Sequence, residues 1–129
     1  MIRVLIGVGI ALYVGLLQLP CYTSSTRSQD DIFLIEGDSM LPSINNGSTV
    51  VIDRNVSFNN LKVGDVVIFM AKVNTEYGTG RQNFIQQLVA HRLIRKIDSG
   101  FITKGDNNTF IDATICNSSN YLGKVIEIY

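Results

Sequence analysis

The sequence predicts a mainly β domain carried behind one N-terminal membrane-spanning segment. Three observations predict it. Short β-branched and aromatic runs recur between Gly, Asn and Asp turn signals. An apolar run from Val4 to Leu19 contains no charged residue. The remaining chain, about one hundred residues, suits a single domain with a modest core and shows neither internal repeats nor low-complexity tracts.

The first twenty residues, "MIRVLIGVGIALYVGLLQLP", carry one charge, Arg3. The uncharged run is a little short of the roughly 20 residues that span hydrocarbon, and spans down to about 17 are tolerated. Arg3 extends it by laying its aliphatic stem along the apolar span with its head among lipid headgroups. The positive flank keeps the start cytoplasmic and sends the rest across. A cleaved signal peptide is the rival reading. It needs a small-x-small site, and "LLQLPCYTSS" offers Pro, Cys and Tyr there. A buried core helix would show a polar face, and this run has none. The expected organisation is therefore a signal anchor over residues 1–20, a polar linker over 21–31 and a β-rich domain over 32–129.

Within the domain, "DIFLIE" (Asp31 to Glu36) reads as a strand. "GSTVVIDR" (Gly47 to Arg54) follows the turn signal "NNG" and reads as a second. "NVSFNNLKVG" reads as loop and turn, and "DVVIFMA" (Asp65 to Ala71) as a third strand. "NTEYGTGRQN" reads as a polar, glycine-bearing loop, while "GFITKGD" and "KVIEIY" add further strands. One segment conflicts. "NFIQQLVAHRLIRKI" spaces Ile85, Leu88, Val89 and Leu93 as an amphipathic helix would.

The bulk chemistry narrows the partners. Net charge is zero and no basic stripe occurs, so nucleic acid is not an expected partner. One histidine and two distant cysteines, Cys21 and Cys116, form no metal motif. No metal or other cofactor is expected. The cysteines either pair in an oxidising compartment or remain free thiols, the plainer reading.

The stretch "EGDSMLPSI", Glu36 to Ile44, places Ser39 in a turn context. A serine hydroxyl is a weak nucleophile unless a base takes its proton. The base available is His91, in "LVAHRLIRK", with Asp106 and Asp112 following in "TKGDNNTFID". A Ser-His-Asp arrangement needs the imidazole beside the hydroxyl and a carboxylate behind it. Read singly, Ser39 is better explained by a turn and His91 by a structural role.

Taken in order, "GDSMLPSI", "KVGDVVIF" and "AHRLIRKIDSGFITKGDNNTFID" resemble the successive boxes of type I signal peptidases. The branch resembled is the Ser-His one, of endoplasmic-reticulum and archaeal type. In the other branch a lysine stands at the place of His91. Self-cleaving repressor-type Ser-Lys peptidases share the bare serine box, but they are soluble and use lysine. The resemblance runs from the anchor to about Val125. It implies a signal-peptidase-like β-barrel or sheet, with the His91 box on a strand rather than a helix.

It also implies roles. Ser39 matches the nucleophile and His91 the general base. Asp112 matches the acid that orients the imidazole and ranks ahead of Asp106, another aspartate of the same box; which of the two stands behind His91 is open. Gly37, Asp38, Met40 and Pro42 surround the serine where substrate contacts are expected. Gly37 stands where some lysine-type relatives have a hydroxyl oxyanion donor, so the second donor is open. The implied activity is a membrane-bound serine endopeptidase that removes signal peptides from translocated preproteins, with its domain on the extracytoplasmic or lumenal side. Preproteins with N-terminal signal peptides and membrane lipid are the implied partners. The alternatives are a processing peptidase dedicated to one secreted or surface substrate, and a catalytically inactive membrane-anchored relative.

Overall fold

The computed structural model describes residues 31–77 and 81–129. Six strands form one antiparallel sheet: β1 (Ile32–Leu34), β2 (Thr49–Asp53), β3 (Val66–Tyr77), β4 (Arg81–Ile97), β5 (Gly100–Lys104) and β6 (Tyr121–Ile128). Their order across the sheet is β1-β2-β6-β3-β4-β5. A short 3-10 turn, Phe58–Asn60, lies between β2 and β3.

The first half of β3 lies inside the sheet and is buried on both faces, which is why it reads as a continuous apolar run rather than an alternating one. Val67, Phe69 and Ala71 join Leu61, Leu93, Phe101 and Cys116 in one cluster. Ile68, one step out of phase, joins Met40, Ile44, Val50 and Ile52 in a second. Fully burying Phe69 or Leu93, both 0% exposed, contributes about 2–3 kcal/mol each. The 112–120 segment laces the sheet edges together. It bridges β5 at Phe101 and Cys116. It also meets β3, where the Met70 N–H donates to the Asn120 carbonyl and the Lys72 N–H to Thr114 Oγ1.

The segment with helical spacing is strand, part of β4, as the resemblance implies. One expectation needs correction. The polar "NTEYGTGRQN" is mostly strand too, because β3 runs to Tyr77 and β4 starts at Arg81. The two strands pair continuously from Val66↔Arg92 to Tyr77↔Arg81. β6 pairs β3 only at Val67, Ile68 and Phe69, and β5 joins β4 only from Arg92 onward. Beyond that the hairpin is a two-stranded ribbon, and every residue from Asn83 to Leu88 is exposed. Such a ribbon has no buried face to impose a period of two, so Ile85 and Leu88 in the ribbon fall by chance at helical spacing from Val89 and Leu93, which pack in the core.

Among the described residues no helix is long and apolar enough to cross a membrane. The expected anchor, and the linker up to Asp30, lie outside the described residues. Asp31, the last linker residue, accepts a hydrogen bond from Arg54 Nε at 2.7 Å. Cys116 is a free, fully buried thiol whose burial pushes its pKa up to about 12. Cys21 lies outside the described residues.

Candidate active site

Three parts of the chain meet at the site: the loop between β1 and β2, the middle of β4, and the segment following β5. The first carries Ser39. Gly37 enters the loop at a φ of +95°, a conformation open to glycine and strained for other residues. Its N–H donates to Asn46 Oδ1 at 3.0 Å. A tight turn follows, in which the Leu41 N–H donates to the Asp38 carbonyl and the Ile44 N–H to the Met40 carbonyl. Met40 and Ile44, each 1% exposed, pin this turn into the second core cluster. Met40, expected among the residues that surround the substrate, therefore anchors the loop from beneath. Gly37, Asp38 and Pro42 are exposed on the outside of the loop.

β4 supplies His91 and Arg92, and strand alternation sends them opposite ways. His91 Nε2 lies 3.2 Å from Ser39 Oγ, and His91 Nδ1 lies 2.6 Å from Asp112 Oδ2. The carboxylate can only accept, so Nδ1 carries the proton and donates it. Nε2 is then left as an acceptor for the Ser39 hydroxyl. The imidazole is well shielded, with its side chain 10% exposed against 17% for that of Asp112. Asp112 Oδ2 also accepts from Thr103 Oγ1 at 2.6 Å, and the Asp112 N–H donates to the Thr103 carbonyl at 2.8 Å.

Arg92, on the other side of the strand, takes the other aspartate. Its Nε donates to Asp106 Oδ1 at 2.8 Å and its Nη2 to Oδ2 at 2.7 Å, a bidentate fork. Arg92 Nη1 donates to the Gly64 carbonyl and Ser43 Oγ to Asp106 Oδ2. The hydrogen bonds from Arg92 and Ser43 and the nearby cationic charge hold Asp106 below the usual carboxylate range, against the opposing effect of burial. Hydrogen bonding to Asp106 likewise raises the pKa of Arg92. The structure thus brings Ser39, His91 and Asp112 together and places Asp106 in a separate network.

That second network reaches the serine loop through backbone. The Asn107 N–H donates to the Ser39 carbonyl at 2.9 Å, and the Asp106 N–H points to Met40 Sδ at 3.4 Å. Lys104 Nζ donates to the Gly105 and Asn108 carbonyls, both at 2.8 Å. Gly105 is buried, and a Cβ there would sit 2.6 Å from the Ser39 carbonyl oxygen. Only glycine permits that approach without a shift of backbone.

An open hollow of about 680 Å³ borders Ser39 and His91, lined by Ala71, Val73, Val89 and the residues from Asn107 to Thr114. Phe110, 81% exposed, stands on its lining. Thr103, Arg92, Ser43 and Lys104 escaped the sequence reading as site residues. All four lie inside the motifs that point to the site, but their side-chain partners arise only in the folded chain.

A hydroxyl beside an imidazole whose far nitrogen faces a carboxylate, on the border of an open hollow, is the arrangement of a serine peptidase. Comparison with known proteins gives the same class. The chain belongs to the peptidase S24-like family, whose sequence model matches residues 2–82, more than half of its length. It is also similar to signal peptidase I W of Bacillus subtilis (strain 168), at 31% identity over 86 residues. That alignment covers 64% of this chain and 39% of the relative, so the chain spans about two fifths of the relative's length. No solved structure matches the chain. The family match contains Ser39 and ends before His91, Asp106 and Asp112.

Proposed function

We propose that the protein is a membrane-anchored signal peptidase of the Ser-His branch, cutting preproteins on the outer or lumenal face of the membrane. The observation that carries the reading is His91, held between Ser39 Oγ and Asp112 Oδ2. Similarity to a signal peptidase I supports the substrate class, and the uncharged run Val4 to Leu19 supports the anchor. A histidine at the base position, in place of lysine, supports the branch.

Ser39 Oγ attacks the carbonyl of the scissile peptide as its proton passes to His91 Nε2. Asp112 keeps the Nδ1 proton in place and stabilises the imidazolium. The developing oxyanion turns toward the backbone N–H of Ser39. His91 then gives its proton to the leaving amine. Water enters, loses a proton to His91 and releases the acyl group. A separation of 3.2 Å between base and nucleophile suits a resting site that tightens when substrate docks. The extended substrate pairs with exposed strand backbone beside the hollow, since two unpaired strand edges satisfy each other's hydrogen bonds.

The test is cleavage of a preprotein in membranes by wild type, Ser39→Ala and His91→Ala. The proposal expects the signal peptide to be released by wild type alone. Equal processing by all three would exclude it.

A further inference from the structure

We infer that Thr103 is a positioning residue of the reaction, acting through Asp112. The inference rests on the Ser-His-Asp reading of the site. Thr103 sits in β5 opposite Leu93, the next residue after His91 on the same face of β4. It is 0% exposed and follows Phe101 on the buried face of its strand. Valine has the same shape and would fill this place without a polar atom to satisfy. A buried hydroxyl left unpaired would be destabilising. The hydroxyl is not left unpaired, because it points at Asp112 Oδ2 from 2.6 Å.

That oxygen is the one His91 Nδ1 meets, also at 2.6 Å. Both bonds converge on a single atom, so the hydroxyl fixes which oxygen faces the ring. The backbone of the same threonine holds the Asp112 N–H at 2.8 Å. Thr103 therefore grips Asp112 at two points, main chain and side chain. The carboxylate cannot swing away from the imidazole while both hold. The backbone bond survives a change of side chain, so Thr103→Val removes only the control of carboxylate rotation. Full burial also keeps water from replacing the lost hydroxyl.

The expected cost is a misaimed carboxylate, and hence a histidine base in mixed tautomers. Misplacement on this scale lowers kcat roughly ten- to a hundredfold while KM stays within about twofold. Thr103→Ser, which keeps the hydroxyl, recovers most of that loss. A double-mutant cycle separates this from a structural effect. In an Asp112→Asn background the hydroxyl has no carboxylate to aim, so Thr103→Val should cost little more. The single histidine of the chain adds a direct readout. In full-length, histidine-labelled protein in micelles, ring ¹⁵N shifts should report the Nδ1–H tautomer for wild type and Thr103→Ser, and a mixture for Thr103→Val.

Three results would each overturn the inference: unchanged kcat and tautomer in Thr103→Val, equal losses in Thr103→Val and Thr103→Ser, or the same cost in both backgrounds of the cycle. Should Thr103→Val not fold, Thr103→Ala carries the same comparison. Ser39→Ala keeps the two readings apart. Its retained activity would overturn the proposed function, whereas its inactivity beside a fully active Thr103→Val would overturn only the role of Thr103.

Discussion

Asp106 and Asp112 leave the same loop and meet consecutive residues of the same strand, yet they are set up for opposite tasks. Arg92 grips Asp106 with two nitrogens, Ser43 adds a third donor, and the carboxyl is held below its ordinary range. Asp112 faces a group that can gain and lose a proton, His91, and its second donor is a neutral hydroxyl. A carboxylate locked to a permanent cation is suited to holding structure. One facing an imidazole is suited to supporting a proton transfer. The one-residue offset between His91 and Arg92, sent to opposite sides by the strand, creates the difference.

The largest expected effect tests that division of labour. Asp112→Asn preserves shape but presents an amide to His91, favouring the wrong tautomer. On the proposed mechanism kcat falls by roughly 10³- to 10⁴-fold, with thermal stability little changed. Asp106→Asn should do the reverse. Arg92 loses a charged partner, which costs about 1–2 kcal/mol in stability, while kcat falls less than tenfold at temperatures where the protein stays folded. Steady-state kinetics beside thermal unfolding read both variants. A larger kcat loss in Asp106→Asn than in Asp112→Asn would reverse the assignment.

The loop between the two aspartates is tested by Gly105→Ala. The new methyl would meet the Ser39 carbonyl oxygen at 2.6 Å, so the serine loop, the 105–108 turn, or both must shift. The nearest atoms to the new methyl belong to the Ser39 carbonyl and the Asn108 side chain, so a fall in kcat would report displacement of the serine loop or of the 105–108 turn. A loss of about tenfold to a hundredfold is expected from a shift of that size. Retained wild-type kcat would show that the close approach is not needed for the geometry of Ser39.

The same pair shows how far the sequence could be read. Ser39, His91 and both aspartates stand out because hydroxyl, imidazole and carboxylate recur in recognisable surroundings. Which aspartate meets His91 depends on strand alternation at 91 and 92, and the helical spacing of Ile85, Leu88, Val89 and Leu93 obscured that strand. The strands at Thr49–Asp53 and the first half of β3 were legible because burial writes β-branched runs into them. The outer ribbon was not, because cross-strand pairing rather than burial holds it. Thr103 carries no signal of its own, since a buried threonine on a strand looks like any β-branched filler.

The smallest effect tests the hold on Asp106 by acid. The folded-state pKa of Asp106 is depressed. Its contribution to stability is therefore complete above the ordinary carboxylate value of about 3.9 and is lost as pH falls through the lowered folded value. Wild type should exceed Asp106→Asn in stability at neutral pH, and the gap should close only below about pH 4. Ser43→Ala removes one of the donors that lower this pKa. The gap should then finish closing at a slightly higher pH, with a neutral-pH stability loss of about 0.5–1 kcal/mol. Denaturant unfolding at a series of pH values measures both. An acid transition unmoved by Ser43→Ala would mean that Ser43 takes no part in holding Asp106 charged.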